Sequence, residues 1–253
     1  MMCGYWGRKM VAAMVLLHLA AAIACGRSQG ELTSTKYDFR WVDDIRVVGN
    51  SVKIAVTGSS DNIVIDATLD SRRKIVVDER GSEVVIEISR VNGVTTIGAD
   101  EILELRVPDG TRLRVDSGSG KVEIIDLTET ELSVETGSGV VEITRVEGII
   151  NARSGSGGIW IDQIKAELSL TSSSGPIRGS SVELTADSKF VAESGRIEID
   201  LLNKEEGLAF DLRAGSGSIR INGIRGTERL AFGGGTIKIT GETRSGSQEY
   251  HTK

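Results

Sequence analysis

Apolar and polar residues alternate with a period of two along most of this chain beyond residue 43. From about residue 107 the alternation is itself repeated. Aligned on Gly120, Gly139, Gly157, Gly175, Gly195, Gly217 and Gly235, the chain shows spacings of 19, 18, 18, 20, 22 and 18 residues. Two residues beyond each glycine stand Val122, Val141, Ile159, Ile177, Ile197, Ile219 and Ile237, and four beyond stand Ile124, Ile143, Ile161, Gly179, Ile199, Ile221 and Ile239. A third column lies seven beyond (Leu127, Val146, Ile164, Val182, Leu202, Ile224), broken at Glu242, and a fourth five before, from Val115 to Leu230. Period-two alternation of β-branched residues is the mark of half-buried strands. A coil of about 18 residues cannot bury its apolar face alone, whereas stacked coils can. The pattern predicts an all-β, single-domain parallel β-solenoid of about seven regular rungs, 18–22 residues each.

The glycines mark its corners. Gly118-Ser119-Gly120 recurs at 137–139, 155–157 and 215–217, where tight turns and close backbone approach favour glycine, and the intervening serines suit hydroxyl ladders along the stack. Residues 44–110 alternate less regularly, and only Gly49-Asn50-Ser51-Val52 echoes the corner. This stretch is either a degenerate start of the solenoid or an antiparallel cap. Residues 241–253 are polar apart from Tyr250 and are expected to be a frayed tail.

The N-terminus is of a different kind. Arg8-Lys9 precede an apolar stretch from Met10 to Ala24, shorter than the roughly 20 residues of a membrane span. It closes on Ala22-Ile23-Ala24-Cys25, which resembles a bacterial lipobox, although Ala22 stands where leucine is commonest and His18 interrupts the apolar run. The expected organisation is a lipoprotein-type signal peptide over 1–24, a lipidated tether and cap segment over 25–43, the solenoid over 44–240 and the tail. Cys25 is the expected lipidation site; ordinary signal cleavage near Ala24 is the alternative. The expected location is the bacterial cell envelope, lipid-anchored and either periplasmic or surface-exposed, with the membrane as partner through that lipid.

These residues also carry a resemblance. Val107-Pro108-Asp109-Gly110-Thr111-Arg112-Leu113, followed by repeated Ser/Thr-Gly-Ser-Gly-x-Val/Ile-x-Ile, resembles the bacterial "putative adhesin" domain family, over about residues 44–240. The resemblance implies a repetitive, exported β protein, and it brings no catalytic residues with it.

Composition narrows the chemistry. The formal charge is −6 with both signs interspersed, so no basic footprint for nucleic acid exists. After removal of the signal segment one histidine remains, His251, too few for a Ser-His-Asp triad or a histidine zinc site. Gly118-Ser119-Gly120-Lys121 lacks both the leading glycine and the following Ser/Thr of a phosphate loop. No cofactor, metal site or catalytic residue is expected. The strongest candidate surface is outward-facing: Glu123 and Glu142 beside Trp160, with Asp116 and Glu135 expected to join them in one acidic patch. The leading reading is therefore a non-enzymatic, envelope-anchored binding or scaffold module, adhesin-like, with a polysaccharide or an envelope protein as partner. The alternatives are a carbohydrate-active β-helix enzyme using those acids, since paired carboxylates serve glycoside hydrolysis, and an envelope sensor or regulatory partner.

Overall fold

The computed structural model describes residues 16–18, 31–39, 42–59, 62–90 and 100–253; Cys25 and most of the expected signal segment lie outside them. Among the described residues the regular structure is strand, apart from one 3-10 turn at Glu205–Gly207. At the centre, β10 (Val122–Thr136), β11 (Val141–Ser154) and β12 (Ile159–Ser172) pair in parallel. Val122, Val141 and Ile159 lie in register, as do Ile124, Ile143 and Ile161, then Leu132, Ile150 and Leu168. All of these side chains are buried. The aliphatic columns are real, and the strands stack as the coils of a β-solenoid.

The spacing of the columns explains a bend in each coil. Inward positions two, four and seven residues beyond the corner glycine break strict alternation between four and seven. One extra residue must be ejected there, as in a β-bulge. The structure ejects Asp126, Arg145, Gln163 and Ser181, with φ of 60°, 53°, 54° and 54°, an uncommon left-handed conformation for such side chains. Arg145 Nε donates to Asp126 at 2.5 Å, tying one bend to the next.

The corner glycines are required by contact between coils. A Cβ at Gly139 would lie 2.0 Å from the carbonyl oxygen of Gly120, and one at Gly157 would lie 1.8 Å from that of Gly139. The intervening serines act through their backbone: Ser138 N–H donates to Gly118 O at 2.8 Å and Ser156 N–H to Gly137 O at 2.9 Å. The expected hydroxyl ladder belongs instead to the residue before the first glycine. Ser117 donates to Gly120 O (3.1 Å), Ser154 to Gly139 O (3.4 Å) and Ser172 to Gly157 O (3.4 Å), all three buried. Those hydroxyls face the interior, where a partner is needed; the intervening serines face water.

Order in space departs from order in sequence at both ends. Beyond β14 (Ser188–Ala192) and β15 (Ile197–Leu201) the next strands are not β16 (Leu208–Ala214) and β17 (Ile219–Ile221) but β20 (Ile237–Thr243) and β21 (Gln248–His251). β16 and β17 then stack on β20 and β21. The expected frayed tail is thus a coil inside the stack, and Gly246, not Gly235, occupies the corner column. A Cβ on Gly246 would meet Gly195 O, one on Gly217 would meet Gly246 O, and one on Gly235 would meet Gly207 and Leu208. The polar residues that suggested exposure are bonded internally. Thr243 Oγ1 donates to Gly246 O at 2.8 Å and Gln248 Nε2 to Arg213 O at 2.6 Å. Tyr250 is fully buried, edge-on to Phe190 and Phe210 at 6.0 and 5.7 Å between ring centroids.

The N-terminal end repeats the device. β3 (Asp44–Asn50) and β4 (Lys53–Ser59) stack directly on β9 (Arg112–Ser117) and β10, and carry β7 (Glu83–Arg90) and β8 (Ile102–Pro108) on their other side. Antiparallel strands then close both ends. At the start these are β6 (Arg73–Arg80) on β7, β5 (Ile63–Asp70) on β8, β2 (Leu32–Phe39) on β5 and the short β1 (Leu16–His18) on β2. At the other end β18 (Ile224–Gly226) and β19 (Arg229–Gly233) fold back on β17 and β16. Residues 44–110 therefore both continue the coil and cap it, and the antiparallel strands cover edges that would otherwise invite pairing with other chains.

The N-terminal cap contains a pH-sensitive contact. Asp70 is buried and accepts from Arg72 Nε and Nη2 at 2.8 Å each and from the Arg72 backbone N–H at 2.9 Å. The Arg72 side chain, then its N–H, hold the Asp70 carboxyl at about 2 against the penalty of burial. A folded-state value below that of the unfolded chain, about 3.9, stabilises the fold above about pH 4, and this is lost as pH falls toward 2. Asp70→Asn is expected to lower the urea midpoint at pH 7, with the gap from the wild type shrinking below about pH 4. An equal gap at pH 7 and pH 3 would contradict this account.

Candidate binding face

Outward positions on successive coils form rows because the coils are in register. One row runs Glu123, Glu142, Trp160, Arg178, Glu198 and Glu249; the neighbouring row holds Thr144, Asp162 and Ser180. A separate row, on the ladder before the corner, runs Val48, Asp116, Glu135, Arg153 and Thr171. The acids expected to share one patch are therefore divided by the Ser-Gly corner. Asp116 and Glu135 border a groove of about 660 Å³ with Arg153 and Thr171, whereas Glu142 and Trp160 border another of about 610 Å³.

Most of these carboxylates already have cationic partners. Asp116 is bonded by Arg46 Nη2 at 3.0 Å. Glu123 meets Lys53 at 2.8 Å and Lys121 at 3.6 Å, and Lys121 reaches across to Glu142 at 2.7 Å. The Lys53 ammonium, with Lys121, holds the Glu123 carboxyl below its usual range, and Glu142 and Glu123 raise Lys121. A general acid needs the opposite shift, a carboxyl kept protonated near neutrality. Among the described residues no three His, Cys, Asp or Glu side chains converge as a metal site requires.

The groove around Trp160 is different. Its lining includes Asp162, Arg178, Ser180, Glu198 and Asp200; Arg178 and Glu198 follow Trp160 in the outward column that the sequence shows, whereas Asp162, Ser180 and Asp200 are not singled out by it. The indole lies against the backbone of Gly158: a Cβ there would stand 2.6 Å from the ring. Neighbouring coils carry Val140 and Pro176 at that position, so Gly158 and Trp160 depart from the repeat together. Asp162 accepts from Ser180 Oγ at 2.6 Å and Gln163 Nε2 at 3.1 Å, and these two donors, Ser180 foremost, hold its carboxyl below the usual range. Arg178 and Glu198 stand 3.8 Å apart, beyond hydrogen-bonding range, and among the described residues the Asp200 side chain has neither hydrogen bond nor ion pair. The available signal in the sequence was the break in the repeat at Gly158, Trp160 and Gly179, clustered within two adjacent coils.

Comparison with known proteins agrees with this architecture. Residues 42–222 match the family described as Toastrack DUF4097, and the chain belongs to that family. Among solved structures, a putative adhesin from Bacteroides fragilis is 15% identical, with a TM-score of 0.53 over 87% of this chain and 97% of that one. A putative adhesin from Parabacteroides distasonis is 16% identical with a TM-score of 0.49, covering 88% of this chain and 98% of its own. A putative lipid binding protein from the same organism is 15% identical, with a TM-score of 0.41 over 88% and 97%. No curated protein matches.

Proposed function

We propose that this chain is a non-enzymatic binding or scaffold module of the bacterial cell envelope, tethered through lipid on Cys25, with one continuous solenoid over residues 44–253. The observation that carries the reading is the state of the outer-face acids. Asp116, Glu123 and Glu142 form ion pairs with Arg46, Lys53 and Lys121 from the same or adjacent coils, which suits a rigid presenting surface and leaves none of these three posed as a catalytic acid or base. The adhesin description of the solved structure from Bacteroides supports it as analogy. The lipobox-like Ala22-Ile23-Ala24-Cys25 supports the tether, since several acyl chains anchor firmly where one holds only marginally.

Two measurements test it. Metabolic labelling with a fatty acid should mark the wild-type chain in the membrane fraction, and Cys25→Ala should abolish the label; continued labelling would refute the anchor. Incubation of the purified full chain with neutral and acidic polysaccharides should release no reducing ends or unsaturated sugars. Turnover abolished by Glu142→Gln would replace this reading with a carbohydrate-active enzyme.

A further inference from the structure

We infer that the groove over Trp160 binds a linear glycan of uncharged pyranose sugars, an assignment that rests on the binding-module reading. Three features converge there. First, the indole lies along the sheet surface against Gly158, with no side chain beneath it, which makes a flat apolar platform. The C–H face of a pyranose ring packs on such a surface, much as other apolar groups pack on aromatic rings. Second, the polar groups around it are available. Arg178 and Arg196 approach Glu198 at 3.8 and 3.7 Å without a hydrogen bond, and Asp200 has no partner among the described residues. Two contacts toward the start of the same row are tight by comparison, at 2.8 Å for Lys53–Glu123 and 2.7 Å for Lys121–Glu142. A guanidinium beside carboxylates offers the donors and acceptors that vicinal hydroxyls require, a few placed polar groups around an apolar floor.

Third, the repeat supplies the length scale. Trp160, Arg178 and Glu198 come from three successive coils about 4.8 Å apart, close to the rise of one sugar in an extended glycan. A chain lying along the stack axis therefore meets one coil per sugar, with Trp160 as the anchor. Charge selects among glycans: Glu142, Asp162, Glu198 and Asp200 line the groove, and they outnumber the cations beside them, Lys121 at 2.7 Å from Glu142 and Arg178 and Arg196 at 3.8 and 3.7 Å from Glu198, so uronic or sulfated chains are disfavoured. The groove is shallow, which suits the side of a chain rather than an enclosed sugar.

The test is calorimetric titration of the full chain with cellohexaose, mannohexaose and hexa-N-acetylchitohexaose, and with hexagalacturonate as the acidic arm. At least one neutral hexasaccharide should bind and hexagalacturonate should not. Trp160→Ala should weaken that binding about ten-fold or more, and Arg178→Ala should weaken it with an unchanged melting temperature, which separates loss of contact from loss of fold. Absence of binding by all three neutral sugars, equal binding of the galacturonate, or unchanged affinity in Trp160→Ala would each overturn the inference. Should it fall while the immobilised chain still captures detergent-solubilised envelope material, the module reading stands. Cleavage of any of the hexasaccharides would sink that reading instead.

Discussion

Tyr250→Ala is expected to destabilise the protein by about 3–5 kcal/mol, the cost of emptying a large aromatic site in a packed core, although the residue is among the last four of the chain. Its side chain is fully buried between Phe190 and Phe210, and its strand joins β15 on one side to β17 on the other. Loss of the ring removes packing from three coils at once. The hydroxyl is bonded to Gln248 Oε1 at 3.2 Å, and Gln248 in turn holds Arg213 O, so the cavity also loosens an internal polar network. Urea unfolding read by circular dichroism checks this. A change below about 1 kcal/mol, as for a surface substitution, would mean that the end of the chain is the frayed tail its polarity suggests.

Gly157→Val is expected to cost about 3 kcal/mol. A Cβ at this corner meets the carbonyl oxygen of Gly139 at 1.8 Å and its carbon at 2.5 Å. The obstructing atoms are backbone in the next coil, so no side chain can swing aside, and the coils must separate at the corner. Overpacking a core typically costs about 1–3 kcal/mol, occasionally more, and a clash with fixed backbone belongs at the upper end. Gly207→Ala is the control. Nothing lies within 4 Å of a Cβ there, so its effect should stay within about 0.5 kcal/mol. Similar melting temperatures for the two variants would show that the corner glycines are not packed against one another.

Much of the fold was legible because a repeat declares itself several times over. The columns Val122–Val141–Ile159 and Ile124–Ile143–Ile161 could be read as stacked interior positions before any coordinates, and the structure places them so. Even the left-handed bend was implicit in the jump from four to seven residues beyond each glycine. The order of coils was not legible. Pattern records which residues face inward, but it does not record which coil is the neighbour, and at both ends a later or earlier segment takes the intervening place. The Ser245-Gly246-Ser247 corner was visible in principle, yet Thr243, Gln248 and Glu249 made it look solvent-exposed: Thr243 bonds Gly246 within the corner itself, whereas Gln248 finds Arg213 and Glu249 finds Arg196 and Arg220 on segments distant in sequence. The candidate surface was half legible for a related reason. Rows of outward residues follow from register, but the corner between Asp116 and Glu123 turns the chain from one ladder to the other, and only geometry shows that the two acids diverge. Asp162, Arg178 and Asp200 carry no motif and acquire meaning only from their position around the indole.

The insertion of the last segment is the part of the architecture that sequence order least suggests, and paired cysteines test it directly. Glu198 and Glu249 are register partners on the outer face, whereas Arg220 lies one coil beyond Glu249. Adjacent parallel strands stand about 4.8 Å apart, within disulfide reach, while two coils' separation of roughly 9–10 Å exceeds the approximately 7 Å limit. In a chain with Cys3 and Cys25 replaced by serine, Glu198→Cys with Glu249→Cys should oxidise readily to an intramolecular disulfide, and Glu198→Cys with Arg220→Cys should remain reduced. The reverse result would place the coils in simple sequence order and contradict the interleaved end.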